Sequence, residues 1–528
     1  MDIRLDGQDH RAHPQRRLRS SRDPACVVES KGPGTHCLLT ARKIDRGPLS
    51  SYPPLSSLIL QPTGHSLRSR SAAELVRQML MPEAHAPQVI VIGAGIAGLS
   101  AAHFLANVGM SVKVLEASGR VGGRMTTDAV NGFLVDRGAQ FLSSEYRLLL
   151  SLAAEFGLED NVHETSPWSA IVRNGRIRRM RADNPVYALT SGLLGISAWV
   201  KLGWRSWQLR HSLNSLALND YSQWSFFDNE SASSWANRAI DSSVTEYLFE
   251  PMLHGFYFQE PEETSLSLLL VLLAFGFRRG RFLTLSGGVG TLPEAIASRL
   301  DVVLDSPVIS IESGAESVTI TTSTSRRYAD YVILAIPATD AQHLYSSGDE
   351  ITLRLMATRY SANINIAVMT DDGFRLPNSL RDVYGLLIPR SERRSIVAIG
   401  IESNKNRDCV PQGQLLNIML SNTASKSMMS MTDDAIIHTV MPEAEKFFPG
   451  LSTQIAVTRI YRWKQAEPCS HVGRAKDLLH YRKNGRPLDQ RVLLAGDYMS
   501  MPFTEGAAES GKWAAEQICN TASDCRSS

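Results

Sequence analysis

Gly93-Ala94-Gly95-Ile96-Ala97-Gly98 follows directly on the apolar run Gln88–Ile92 and opens a helix pattern running from Ile96 to Val108. That arrangement leaves few folds open. A short apolar run without alternation reads as a parallel strand buried on both faces. A strand turning through glycines into a helix, with a second strand at Ser111–Leu115, makes a β-α-β unit. The three glycines do different mechanical work. Gly93 allows the tight turn, Gly95 lets a pyrophosphate approach the backbone, and Gly98 lets helix and strand pack closely. The helix start offers N–H groups and partial positive charge to phosphates. Glu116 ends the second strand, 23 residues after Gly93. A carboxylate there accepts from ribose hydroxyls and disfavours a 2′-phosphate.

The chain has 528 residues, of which 43% are hydrophobic and 20% charged, and this excludes a mainly disordered chain or a fibre. Its 55 basic and 53 acidic side chains nearly cancel, which is poor material for a nucleic-acid surface. The balance is uneven, however. Residues 1–80 carry 13 basic and 7 acidic side chains and are rich in Arg, Ser and Pro. Residues 1–85 are therefore expected to be a disordered N-terminal extension, and the folded body to begin at Pro87. Four early aspartates (Asp2, Asp6, Asp9, Asp23) speak against an organellar transit peptide. Six cysteines without a CxxC pair point to a reducing, cytoplasmic setting. The longest apolar run, Leu266–Phe275, is too short to span a membrane.

Further strand patterns occur at 302–304, 308–311, 317–322 and 331–336, and a last β-α element begins at Arg491. The expected architecture is α/β: a Rossmann-like domain of residues 86–150, 287–345 and 486–520, interrupted by an α+β substrate domain of residues 151–286 and 346–485. The first insert reads as mostly helical, the second as mixed.

Three further motifs carry a resemblance. Glu116-Ala-Ser-Gly-Arg120-Val-Gly122-Gly123-Arg124, the loop Gly287-Gly288-Val289-Gly290, and Leu494-Ala-Gly496-Asp497 with Glu505-Gly506-Ala507 are similar to segments of the flavin amine oxidase and protoporphyrinogen oxidase superfamily. The match spans residues 88–517. It implies non-covalent FAD, held by Gly93, Gly95, Ile96, Ala97, Gly98, Glu116, Ala117, Gly123, Arg124, Gly138, Ala139, Gln140, Val308, Gly496, Asp497, Thr504 and Ala507. In that picture the main chain of Val308 holds the adenine, and Gly138-Ala139-Gln140-Phe141 lies beside the flavin ring. Chemically, Arg124 is a charged fork for phosphate or ring oxygens. Asp497 is placed to accept from ribitol or ribose hydroxyls. Amides at the helix start around Ala507 favour negative charge on a reduced ring.

The inserts are expected to hold the substrate. Pro251–Ser265 and Trp463–Pro468 resemble stretches of protoporphyrinogen oxidases and related desaturases, with Cys469 where those have an aromatic residue. Phe503 aligns with an aromatic that faces the flavin in amine oxidases. Asn365 stands where those enzymes place a lysine, and it cannot supply that charge. The expectation is hydride removal from a bulky apolar small molecule, with the flavin reoxidised by oxygen or another acceptor. The alternatives are an amine oxidase and a non-catalytic FAD-binding scaffold. No catalytic acid or base is assigned, and no metal is expected, since His254, His438, His471 and His480 lack ligand spacing. Leu193–Leu209, with Ile196, Trp199, Val200 and Trp204 among Lys201, Arg205 and Arg210, reads either as a helix that contacts a membrane surface or as the buried face of one.

Overall fold

The computed structural model describes residues 88–181, 183–484 and 491–527. The N-terminal extension of residues 1–85, Pro87 and the lead-in to the last β-α element at 485–490 lie outside the described residues.

The chain opens with β1 (Gln88–Ile92), α1 (Ile96–Asn107) and β2 (Ser111–Leu115), as the glycine spacing predicts. A hairpin follows, β3 (Thr127–Val130) and β4 (Phe133–Asp136), then α2 (Arg147–Glu155). The first insert contains the strand pair β5 (Trp168–Arg173) and β6 (Arg176–Arg181). Its helices include α3 (Pro185–Thr190), α4 (Ile196–Gln208), α5 (Glu250–Tyr257) and α6 (Leu266–Phe277). Strands β7 (Val302–Val303) and β8 (Tyr331–Leu334) come next. The second insert supplies β9 (Tyr360–Thr370), β10 (Val383–Leu387), β11 (Ile396–Ile401), β12 (Leu415–Leu420) and β13 (Ile455–Pro468). The chain returns as β14 (Val492–Leu494) and α7 (Thr504–Ser527).

Two sheets dominate. The first runs β7-β2-β1-β8-β14, with every pairing parallel. Val89 to Ile92 are buried, which is why β1 shows no polar alternation. The second sheet runs β13-β9-β12-β11-β10-β5-β6 and is antiparallel except where β10 meets β5. The first insert is therefore less helical than its pattern implies. Its strand β5 is buried at Ala170, Ile171 and Val172 and completes a sheet built from the second insert. The arginine-rich β6 forms the edge of that sheet, and charge on an edge strand blocks further pairing.

Two helices depart from simple amphipathic expectation. The apolar α6 is buried from Leu266 to Leu272, so it serves as a core helix. Among the described residues no helix is long and apolar enough to cross a membrane. In contrast, α4 turns much of its apolar stripe outward. Ala198 and Leu202 are buried, but Ile196, Val200, Trp204 and Trp207 are exposed. The reading of this stripe as a buried face thus fails for most of its residues.

Candidate active site

The glycine loop forms a tight crossing of main chains. Gly93 has φ +101°, and a Cβ there would lie 2.5 Å from the Ala335 carbonyl oxygen. A Cβ on Gly98 would lie 2.0 Å from the carbonyl oxygen of Gly93. Gly95 differs: its added Cβ would meet nothing within 4 Å, and its extended φ of −72° suits any residue. The open space lies at the start of α1, where no side chain caps the helix and no acidic residue occupies the first turn. An uncapped helix start beside empty space is a ready anion site.

Surrounding segments close on this loop. Gly122 donates its amide to the Ala94 carbonyl at 2.8 Å, and Gly123 lies against Gly95. Glu116 accepts from the Ala94 amide at 2.8 Å and from the Ser118 amide at 2.9 Å. Its backbone meets the segment leading to Val308: Glu116 N–H donates to Val303 and Ser306 N–H to Glu116. The C-terminal helix arrives from the other side. A Cβ on Gly511 would come within 2.0 Å of the Ala97 carbonyl oxygen, and Ser100 Oγ donates to the Ala508 carbonyl at 2.8 Å.

Arg124 joins the first and last segments. Its Nη1 lies 2.7 Å from Asp497 Oδ2 and donates to the Ala466 carbonyl at 2.6 Å. The other Asp497 oxygen, Oδ1, is buried without a protein partner. Burial opposes the Arg124 charge, but Asp497 beside it holds the guanidinium protonated above the ordinary arginine range. Gly496, with φ +140°, donates its amide to Ser510 Oγ at 2.8 Å and so fixes the turn before Asp497. The residues present fit FAD: Gly95 leaves the volume a pyrophosphate needs, and Asp497 Oδ1 is an acceptor awaiting a hydroxyl.

The remaining expected residues divide into two groups. Phe503, half-buried, stacks on Tyr146 with ring centroids 5.3 Å apart and planes 10° apart. Thr504 opens α7 next to this pair, and burial pushes the Tyr146 hydroxyl up, with Glu505 adding to it and Thr504 drawing it slightly back. The Ala507 amide is already bonded to the Phe503 carbonyl. The free first-turn amides of this helix therefore belong to residues before Ala507. Gly138, Ala139 and Gln140 belong to a second group. Ala139 N–H donates to the Arg124 carbonyl, and a Cβ on Gly138 would collide with that same oxygen at 2.3 Å. Gln140 accepts from Asn417 at 2.8 Å and donates to Asp136 at 2.9 Å. Asn365 is buried on β9, and both atoms of its amide lack a protein partner.

Several groups are given no role by the sequence, although Glu467, His254 and Glu260 lie inside segments that carry the resemblance. Glu467 on β13 has a buried Oε2 without a partner beside Arg124 and Asp497. Burial pushes this carboxyl well above the usual range, against the pull of Arg124 and with the charge of Asp497 adding to it. Lys405 is buried between Asp136, 2.8 Å away, and Glu402. Glu250 lies 2.9 Å from His254 Nδ1, and Glu260 lies 3.0 Å from Nε2. Arg393 pairs with Glu250 at 2.7 Å and Arg390 with Glu260, so these carboxylates already have cationic partners. Glu250–His254 and Glu402–Lys405 are at helical spacing, but the partners that complete each cluster, Arg393, Arg390 and Asp136, come from distant segments.

The Glu467 carboxyl supports a direct test. A raised carboxyl pKa stabilises the fold fully below the unfolded-state value and is lost as pH rises through the folded value. Glu467→Gln keeps the hydrogen-bonding shape without the charge. Thermal melts of the two proteins should converge near pH 4 and separate at neutral pH, with the variant melting higher. A variant that melts no higher than the parent at pH 8 would show that the carboxyl carries no such burden.

Comparison with known proteins decides the family. The model of flavin containing amine oxidoreductases matches residues 96–519. The chain belongs to that family. As a member, it is an FAD-dependent oxidoreductase, and the reading of a non-catalytic scaffold falls away. Coproporphyrinogen III oxidase of Bacillus subtilis is 23% identical over 435 residues, covering 75% of this chain and 90% of that protein. Protoporphyrinogen oxidase 2 of Arabidopsis thaliana is 23% identical over 440 residues, covering 72% of this chain and 84% of the relative. Among solved structures, cyclohexylamine oxidase from Brevibacterium oxydans superposes with a TM-score of 0.64 at 18% identity. That alignment covers 83% of this flavin oxidoreductase and all of that chain, and it speaks for the fold alone.

Proposed function

We propose that this oxidoreductase removes hydride from a bulky apolar substrate of the porphyrinogen or desaturase type. The observation that carries the reading is Asn365: it is buried, uncharged, and set on the wholly buried strand β9 with neither amide atom taken by protein. An amide at that point orients a neutral group or a water without supplying positive charge. The stacked rings of Phe503 and Tyr146, with buried Tyr257, supply apolar, flat walls of the kind a conjugated ring system packs against. The breadth of the alignment with coproporphyrinogen III oxidase supports the same class.

In this reading residues 86–150, 287–345 and 486–520 bind FAD, and residues 151–286 and 346–485 bind substrate. The strands divide along these lines: the parallel sheet draws only on the first set and the seven-stranded sheet only on the second. FAD, when bound, supplies the two-electron acceptor for C–H oxidation, and oxygen or another acceptor restores it. The chain supplies binding and orientation. The start of α1 holds phosphate, Asp497 and Glu116 accept hydroxyls, and Arg124 stays charged beside them. Main-chain groups of Val308 would hold the adenine, and the stacked pair Phe503 and Tyr146 would help keep water from the bound cofactor.

A second reading, amine oxidation, draws on Glu467, whose unpartnered carboxyl is suited to an N–H donor. Anaerobic addition of coproporphyrinogen III, protoporphyrinogen IX or benzylamine to the purified holoprotein separates the two. Loss of the visible flavin bands with a porphyrinogen and none with benzylamine is expected. Bleaching by benzylamine alone would replace the first reading with the second.

A further inference from the structure

We infer that α3 and α4 form a docking face for an anionic lipid surface. The face is apolar and outward. Ile196, Val200, Trp204 and Trp207 are 84%, 66%, 56% and 52% exposed. At about 100° per residue these positions fall within one arc of roughly 80°. The preceding helix adds Val186 and Leu189, exposed by 58% and 52%. Ala198 and Leu202, on the other side of α4, are buried and anchor the helix to the body. The arc is therefore a second apolar face, beyond the one that packing requires. Soluble monomers seldom leave four large apolar side chains open along one helix arc without a partner.

Charge selects the partner. Residues 176–210 contain seven Lys or Arg and a single acid, Asp183, in a chain whose net charge is only +2. Arg181 is paired with Asp183, Arg179 with Asp382, and Lys201 lies 3.8 Å from Asp241. The other four bring no carboxylate of their own. Arg178 and Arg205 bond main-chain carbonyls, Arg176 is exposed, and Arg210 lies 4.3 Å over the Trp207 ring. Trp204 and Trp207 stack with centroids 5.1 Å apart, presenting a broad amphipathic edge. Exposed Lys201, about 60° round the helix from Trp204, and Arg210 over Trp207 give this tryptophan-bearing arc a basic rim, the composition of a helix lying in a bilayer interface. Pairing with a second copy of the chain through the same face would set one basic rim against another, which opposes a symmetric dimer.

The test uses the full-length holoprotein with sucrose-loaded vesicles of phosphatidylcholine, with and without phosphatidylglycerol. Each exposed basic side chain near an anionic surface adds to the attraction, so co-sedimentation should be more than about tenfold stronger with phosphatidylglycerol and should fall with added salt. Val200→Ser with Trp204→Ser and Trp207→Ser should abolish it while melting temperature and flavin content stay unchanged. A second variant, Lys201→Glu with Arg210→Glu, should lose the preference for anionic vesicles. Protein that stays in the supernatant with both lipids overturns the inference, as does a triple variant that sediments like the parent. So would a dimer in light scattering that the triple variant dissolves without any vesicle binding.

Discussion

Gly95→Val yields a folded protein that no longer retains FAD. A Cβ built on Gly95 meets nothing within 4 Å beyond its chain neighbours, and its backbone is extended, so valine enters without strain. The side chain then fills the volume where phosphate must approach the start of α1. The neighbouring glycines provide the contrast. Gly98→Val would drive a side chain into the Gly93 carbonyl, which a Cβ alone already meets at 2.0 Å. That substitution breaks the packing of β1 on α1 and should yield insoluble protein. For Gly95→Val the expected loss in FAD affinity is at least about a hundredfold, equivalent to ~2.7 kcal/mol. Flavin per polypeptide after gel filtration measures it, with circular dichroism and melting of both apoproteins as the control on folding. Full flavin occupancy in this variant would remove the loop from the cofactor site.

Lys405→Met should be the most damaging single change away from that loop. Lys405, Asp136 and Glu402 are each almost wholly buried, and the ammonium is shared between the two carboxylates. Burial works against its charge, yet Asp136 and Glu402 hold it protonated well above the ordinary lysine range. Removing the cation leaves two acids facing each other without water. Breaking a buried pair in this way costs about 3–5 kcal/mol. The injury should spread, because Asp136 also accepts from Thr127 at 2.6 Å and from the Val289 amide at 3.0 Å in the glycine loop 287–290. Glu402→Gln is the informative partner. Burial already pushes the Glu402 carboxyl up, and its loss leaves the Lys405–Asp136 pair intact, so stability should change little. Denaturant midpoints of the two variants decide the point; equal losses would mean that packing at this junction, not charge, holds it together.

Residue patterns are legible in the sequence as far as local geometry extends. The loop Gly93–Gly98 and Glu116 can be read because their spacing is set within one β-α-β unit, and Glu116 meets Ala94 only 22 positions away. Asp497 can be named from its motif, but not its pairing with Arg124, which closes over most of the chain. Lys405 and Asp136 lie 269 positions apart, and neither belongs to a motif. The strands β5 and β6 are hidden for another reason. Arg176-Ile-Arg-Arg-Met-Arg181 has too little apolar character to look like a strand, and only an edge position in a sheet supplied by the other insert makes it one. The stripe on α4 is visible as amphipathic, but periodicity reports how residues are arranged around a helix and not which way the helix faces.

The close crossing of α1 and α7, where Gly511 meets the Ala97 carbonyl and Ser100 bonds Ala508, has a consequence for the order in which the molecule matures. The first nucleotide-binding element leaves the ribosome long before the segment that packs over it, as the 408-position span of the Ser100–Ala508 bond requires. Until that late segment is made, β1 and α1 lack one wall and Arg124 lacks Asp497. A nascent chain can therefore hold the phosphate loop but not a finished cradle. Cofactor loading belongs to the end of synthesis, and polypeptides interrupted before Gly496 should accumulate without flavin however intact their glycine loop.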